Sequence, residues 1–562
     1  MRKFYSLIGG LIISAGISAQ TIVNITDASL VGGQTYNWTN NNVYLLDGLV
    51  FLEAGGVLNI QEGTVIKFTP RADLGNPSAL VICRGAQIFA NGTAANPIIF
   101  TAEDDDLEDE TDLGPNDVSL WGGLVILGRA YTEKNGNTEV NVEGIPTTEQ
   151  RGIYGMPAGQ AINNDNSGIL RYISVRHGGR EIASGSELNA ITLGAVGSGT
   201  TLEYIETYAN SDDGIEFFGG SVNLKYASVA FAEDDSFDWD ESWTGKGQFW
   251  FSIQRADVAD AGWESDGSTP DDVGVPSNPI VYNATHIGAG VGAAASNPIG
   301  ILLRAGTQAR IANSIIADMK GKGLEVQDKP ANNTTDAFAQ LQNGNIKFSN
   351  NLFWKIGSNT AIDSTVSNSV LRFTANSDQP NRQAIADSIN NWSNIVVPNT
   401  TTLIRSISRI QNNQLDPRPN LGTPALTSTL AALPSGDAFF TSVNFKGAFG
   451  PNSTDLWIRG WTALHRNKHL LDVTSIEEND NNLANISVYP NPANNTFIVA
   501  FSSENPVSID IININGQTVK SITVNTVGFN TQLVDVNDLS TGVYIVRLSN
   551  GYDIHTQKLV IE

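Results

Sequence analysis

The chain has 562 residues and carries 58 Asp and Glu against 33 Lys and Arg, a formal net charge of −25; this excludes nucleic acid and anionic membrane surfaces, which need clustered cations to displace counterions. One cysteine, Cys83, excludes an internal disulfide, so burial and backbone pairing must hold the fold. With 54 glycines and apolar runs rich in Val, Ile, Thr and aromatic residues, the composition favours an all-β chain of a few units over a helical enzyme.

In chain order, residues 1–19 read as a cleaved signal peptide. Arg2 and Lys3 precede the apolar run Leu7 to Ile13, which is too short to span a bilayer, and Ile17-Ser-Ala19 is a small-residue cleavage site. No cysteine follows the apolar run, which argues against a lipid anchor, and no later stretch has the length and apolarity of a transmembrane helix.

Residues 20–365 carry internal repeats, the signature of a solenoid. Leu58-Asn-Ile-Gln-Glu-Gly63 recurs as Leu80-Val-Ile-Cys-Arg-Gly85, and Leu202-Glu-Tyr-Ile-Glu-Thr207 as Leu224-Lys-Tyr-Ala-Ser-Val229, both at a shift of 22 residues; Leu170-Arg-Tyr-Ile-Ser-Val175 has the same form 32 residues upstream. A variable spacing on a fixed base predicts coils with loops inserted between short strands, a right-handed parallel β-helix. The alternation slips between Tyr172 and Ile173 and again between Tyr204 and Ile205, as at a corner between two sheets. This register stacks Arg171, Glu203 and Lys225, and likewise Ile66 over Ile88 and Glu62 over Arg84. Further strands at 279–285, 309–316 and 345–353 each carry an Asn near the strand end, suited to a coil corner.

Residues 366–472 break the pattern. Gln383 to Trp392 reads as helical, Asp416-Pro-Arg-Pro419 as a rigid loop, and the bulky groups of Phe445 to Trp461 as a cap over the open end of the solenoid. Acidic, Asn-rich residues 473–484 form a linker. Residues 485–562 give short alternating strands with Asn515-Gly516 and Asn550-Gly551 turns, a small Ig-like β-sandwich.

One constellation bears on chemistry. Asp212-Asp-Gly-Ile-Glu216, Asp234-Asp-Ser-Phe-Asp238 and Asp260-Ala-Gly-Trp-Glu264 share the order acid, any, small, large apolar, acid. With Ile215, Phe237 and Trp263 inside, Glu216, Asp238 and Glu264 form one outward column and Asp212, Asp234 and Asp260 another, with Asp213 and Asp235 beside them. Like charges about 5 Å apart repel by roughly 3 kcal/mol at an effective dielectric of 20. Arg180 stands at the offset that faces Asp212, and the following coils offer no cation there. Two readings account for the column: the acids bind Ca²⁺, the hard cation available outside the cell, or they cap turns while solvent screens them. A third is hydrolysis, because Asp212-Asp213-Gly214 resembles the acidic pair of β-helical polygalacturonases; their downstream His motif is missing, since His177 lies upstream and His286 far along the chain.

Other groups have simpler readings. Glu103 to Asp112 is a solvated acidic loop with calcium as the alternative. His465 and His469 have the spacing of zinc ligands on a helix, but Arg466 stands where the Glu of His-Glu-x-x-His belongs, so they read as surface histidines. Trp239, Trp243, Trp250 and Trp263 read as core in preference to sugar-stacking rings.

Val488-Tyr-Pro-Asn-Pro492, Ile509 to Gly516, Leu539-Ser-Thr-Gly-Val-Tyr-Ile-Val-Arg547 and Lys558-Leu-Val-Ile561 resemble the type A C-terminal sorting domain of the type IX secretion system of Bacteroidota. Leu120 to Arg129, Asn166 to Gly179 and Asp212 to Phe251 resemble a group of secreted Bacteroidota proteins of unassigned function, from which no site residue transfers. The resemblance implies that residues 485–562 engage the outer-membrane secretion machinery and are then removed, leaving the mature chain attached to the surface or released. The expected function is a calcium-associated adhesin or glycan binder meeting surface or environmental polysaccharide. The alternative is a polysaccharide lyase or glycoside hydrolase.

Overall fold

The computed structural model describes residues 20–71, 76–183, 186–270, 272–295, 299–329, 335–365, 367–373, 381–471, 483–503, 505–526, 528–550 and 554–562. The expected signal peptide and most of the expected linker lie outside them. The described chain divides into two compact units, Met1–Leu471 and Asp472–Glu562.

The first unit is a parallel β-helix with three faces. A coil runs, for example, through 201–203 on the first face, 205–210 on the second and Ile215–Phe218 on the third. Each strand pairs in parallel with its counterpart one coil away: Leu202 lies opposite Leu170 and Leu224, and Ile215 opposite Ile191 and Phe237. The third face is a separate nine-stranded sheet from Leu49–Leu52 to Lys322–Val326. Alternation sends every second side chain inward, and the core column includes Leu170, Leu202, Leu224, Phe217, Phe237 and Trp250, all buried. Trp239, Trp243, Trp250 and Trp263 are all in this core, Trp243 stacking on Phe217 at 4.1 Å and Trp250 on Phe237 at 4.4 Å.

The corner between the first two faces is a single residue with positive φ. Tyr172, Tyr204 and Tyr226 adopt φ of 48°, 56° and 61°, which reverses the alternation without breaking the strand and explains the slip seen in the sequence. Their rings stack at 4.2 and 4.3 Å and continue onto Phe249 at 4.9 Å. Higher in the helix Asn283, Asn313 and Asn350 occupy the same corner at φ of 56–57°. Asn tolerates this region better than other non-glycine residues, and stacking offsets the cost for the tyrosines.

Several expected registers need correction. The shift of 22 holds for Tyr36 on Leu58 and Tyr44 on Ile66, but the next coil is longer by the loop after Phe68. Leu58 therefore faces Ile88, Ile66 faces Phe100, and Leu80 lies on the third face opposite Val50. Glu62 and Arg84 do not stack; Arg84 pairs with Glu139 at 2.7 Å. Arg171 pairs with Glu203 at 2.8 Å as expected, whereas the Lys225 ammonium turns away to donate to Phe439 O and Thr441 Oγ1.

Residues 366–471 do more than close an end. Helix Arg382–Asn391 buries Ile385, Ala386 and Ile389 in the main core, and Ile395–Val397 adds a last strand to the second face. From there the chain doubles back as a strap along the second face and its corner. Asn313 holds Gly447, Asn283 holds Phe445, Thr285 holds Ala448, and the buried Glu206 carboxylate accepts from Ala463 N at 2.6 Å and Leu464 N at 3.2 Å. The sequence did not reveal this path because the strap has no periodicity of its own. A second insertion, residues 128–165, covers the outside of the third face, where Tyr154 and Thr132 donate to the buried Glu241 and Lys134 pairs with it.

The second unit is a sandwich of a three-stranded and a four-stranded antiparallel sheet around Phe497, Val499, Phe501, Ile509, Ile511 and Leu548. Gly516 turns between Val507–Asn513 and Thr518–Val524 with φ 80°. Gly551 lies outside the described residues.

Candidate metal centre

The acidic residues lie where the second face turns into the third, just beyond the covering insertion. Small residues are required at the third position of each motif because coils approach closely there. A Cβ on Gly214 would lie 2.4 Å from Val229 Cγ1 and 2.6 Å from Ser236 O, and one on Gly262 2.4 Å from the His286 ring. The next residues, Ile215, Phe237 and Trp263, are opposite one another and buried. Glu216, Asp238 and Glu264 are therefore in register on the outer surface, and Asp213 stands one coil below Asp235.

Carboxylate oxygens of Asp212, Asp213 and Asp234 lie within 4.8 Å of one another, as do those of Asp213, Glu216 and Asp238, and those of Asp234, Asp235 and Asp260. Two oxygens on one Ca²⁺ are at most about 4.8 Å apart, given metal–oxygen distances near 2.4 Å, so each group fits a single ion. The first two groups share Asp213 and border an open cleft of about 500 Å³ that Glu143, Asn189 and Glu233 also line.

Two of the acids also cap turns. Asp213 Oδ1 accepts the backbone N–H of Asp235 at 2.9 Å, and Asp235 Oδ1 that of Ala261 at 2.6 Å. Asn189 donates to Glu216 Oε2. Asp238 Oδ1 is buried and has no hydrogen-bond partner among the described residues, an atom left for a ligand. Burial first, and neighbouring carboxylates second, hold Asp213, Glu216, Asp235 and Asp238 well above the usual carboxylate range. Asp234 and Asp260 rise for the same leading reason.

The upper end differs from expectation. Glu264 falls outside the three groups because Arg304, from the next coil, pairs with it and with Asp266 at 2.6 Å. A cation is therefore present where none was expected; the sequence hid it because Arg304 follows Glu264 by 40 residues in a coil of unequal length. Glu264 is still pushed up to about 7, chiefly by burial. Arg180 donates to Ser119 O at 3.2 Å.

The remaining candidates are structural. The 103–112 run is mostly exposed, with Asp105 buried against Thr101. His465 and His469 share no helix, since Ala463–Arg466 ends between them, and His469 is buried against the Tyr208 hydroxyl at 3.0 Å, not at the surface. Burial lowers its pKa to about 4.

Residues 32–396 match the family model of the pectate-lyase-like beta helix domain. The chain belongs to this β-helix family. Beyond the β-helix domain, residues 487–562 match the secretion system C-terminal sorting domain, which implies export to the cell surface or the extracellular space. No curated protein and no solved structure matches the chain. Among the described residues no helix is long and apolar enough to cross a membrane.

Proposed function

We propose that this exported β-helix works outside the cell as a calcium-associated binding and structural protein, an adhesin or glycan binder. The observation that carries the metal reading is the second oxygen group: Asp213, Glu216 and Asp238 converge, all are held by burial in a state that resists ionisation, and Asp238 Oδ1 has no hydrogen-bond partner among the described residues. A divalent cation satisfies that oxygen and removes the mutual repulsion at once. The turn-capping bonds of Asp213 and Asp235 use one oxygen each and leave the others for metal.

The sorting tail, which implies export to the cell surface or the extracellular space, supports this reading, because that is where calcium and glycans are met. The long, regular flank of the helix suits repeated contact with an extended polymer. Isothermal titration of the chain with Ca²⁺, comparing wild type with Asp238→Asn, tests the metal: a binding heat that weakens in the variant is expected, and no heat in wild type removes the claim. The lyase or hydrolase alternative has one contact in its favour, Glu264 against Arg304, where burial pushes the carboxyl up to about 7. Incubation with a polysaccharide panel decides it, since new reducing ends or unsaturated products would make the chain an enzyme.

A further inference from the structure

On the first face, away from the acidic cleft, one column of outward residues runs Lys246, Ile280, Arg310, Lys347 on successive coils. The chain supplies a carboxylate for the first of these: Asp437 of the strap pairs with Lys246 at 2.5 Å. Arg310 and Lys347 receive none. They are directly opposite on adjacent strands, both exposed, and neither joins an ion pair among the described residues. In a chain of net charge −25, two adjacent unpaired cations mark a place where negative charge is to be supplied from outside.

These cations open onto a built pocket of about 470 Å³, within the range of small-ligand sites. Its floor is the small outward side chains of Ala312 and Ser349 beside Tyr282; its walls are the strap segment 431–434 and Trp392, at the end of helix Arg382–Asn391. The walls are fixed. Tyr282 donates its hydroxyl to Ala432 O at 3.0 Å, Asn313 brackets both backbone groups of Ala431 at 2.8 and 3.1 Å, and Asn350 N donates to Trp392 O at 2.9 Å. Among the described residues the lining contains no carboxylate.

We propose that this pocket is a subsite for an anionic sugar residue, with its sulfate ester or carboxylate between Arg310 and Lys347 and its ring against Trp392 and Tyr282. Paired cations supply charge-assisted hydrogen bonds to an oxyanion, and the aromatic side chains supply the apolar surface that a pyranose ring presses against. This deepens the glycan-binding reading and rests on it, but it is independent of calcium.

The test is titration of the full chain with a sulfated galactan oligosaccharide, an oligouronate and a neutral oligosaccharide, each with and without a chelator. The variants are Arg310→Gln with Lys347→Gln, and Trp392→Ala, each checked for an unchanged melting transition. One or both anionic probes are expected to bind, to weaken about tenfold for each cation removed, and to be indifferent to chelator. Preference between the two anionic probes tells sulfate from carboxylate. Binding of the neutral probe alone, or anionic binding that survives loss of both cations, overturns the subsite and leaves the glycan-binding reading standing. Binding of no probe overturns both.

Discussion

Asp213 performs two tasks that pull against each other. Its Oδ1 caps a buried backbone N–H of the next coil, while its charge adds to a repulsive group. The two are separable. Asp213→Asn keeps an acceptor and removes the charge, so the metal-free protein is expected to melt at an equal or higher temperature while calcium affinity falls about tenfold or more. Asp213→Ala removes the acceptor and is expected to destabilise by about 1–3 kcal/mol with or without calcium. Thermal melts with and without chelator separate these outcomes. The pH dependence follows from the same group. Each carboxyl binds its proton more tightly folded than unfolded, so its contribution to stability is complete below the ordinary values of 3.8 for Asp and 4.5 for Glu and is lost as pH rises, for Glu264 through about 7. In chelator the melting temperature is expected to fall from about pH 4.5 to beyond pH 7; saturating calcium is expected to flatten that fall. An unchanged slope in calcium would mean the acids only cap turns. At this scale the columns of acids were legible because the motif order repeats, whereas the pairing that takes Glu264 out of the oxygen groups was not, because a cation 40 residues away carries no local signal.

At the level of elements, the strap and the corners hold each other. Glu206 is fully buried, accepts two N–H groups from the strap and one bond from Ser174, and has its pKa raised by burial with Arg176 opposing. Glu206→Ala orphans both N–H groups and is expected to cost about 2–4 kcal/mol and to open residues 398–471 to limited proteolysis, read by mass spectrometry; Glu206→Gln, which retains an acceptor, is expected to be milder. The corner residue Asn313 offers a second separation. Asn313→Gly accepts φ 56° without strain but loses both bonds to Ala431, whereas Asn313→Val loses the bonds and adds about 1–2 kcal/mol of left-handed strain. Denaturant unfolding of the two variants is expected to differ by that increment. The corner itself was visible in the sequence as a slip of alternation at Tyr172 and Tyr204, since it inverts a local pattern; the stacking of those tyrosines on one another required the coils to be superposed.

For the whole molecule, the two units have separate cores, one built around the tryptophans of the coil near Phe237 and the other around Phe497 and Ile509. Their stabilities are therefore expected to be independent. A chain ending at Leu471 is expected to keep the melting temperature of the β-helix and to remain cell-associated, because the sorting domain carries the export signal; cell fractionation and calorimetry read the two halves of that expectation. Secretion of the truncated chain would place the signal elsewhere.

By itself the sequence determined the alternation of inward and outward residues, the repeat, the motif columns around Ile215, Phe237 and Trp263, and the export address. Each is written in residues close together in the chain, where strand geometry acts directly. Only the tertiary structure decided which coil lies over which. Leu58 and Leu80 look equivalent at a shift of 22, yet a loop of a few residues moves Leu80 to another face. The same dependence on insertion length brought Arg304 to Glu264, turned Lys225 toward the strap and left Arg310 beside Lys347 with no acid among the described residues to meet them. Loop length changes the closure entropy of a coil only slowly, so the chain tolerates unequal coils, and side-chain partners across them are set by the stacked result.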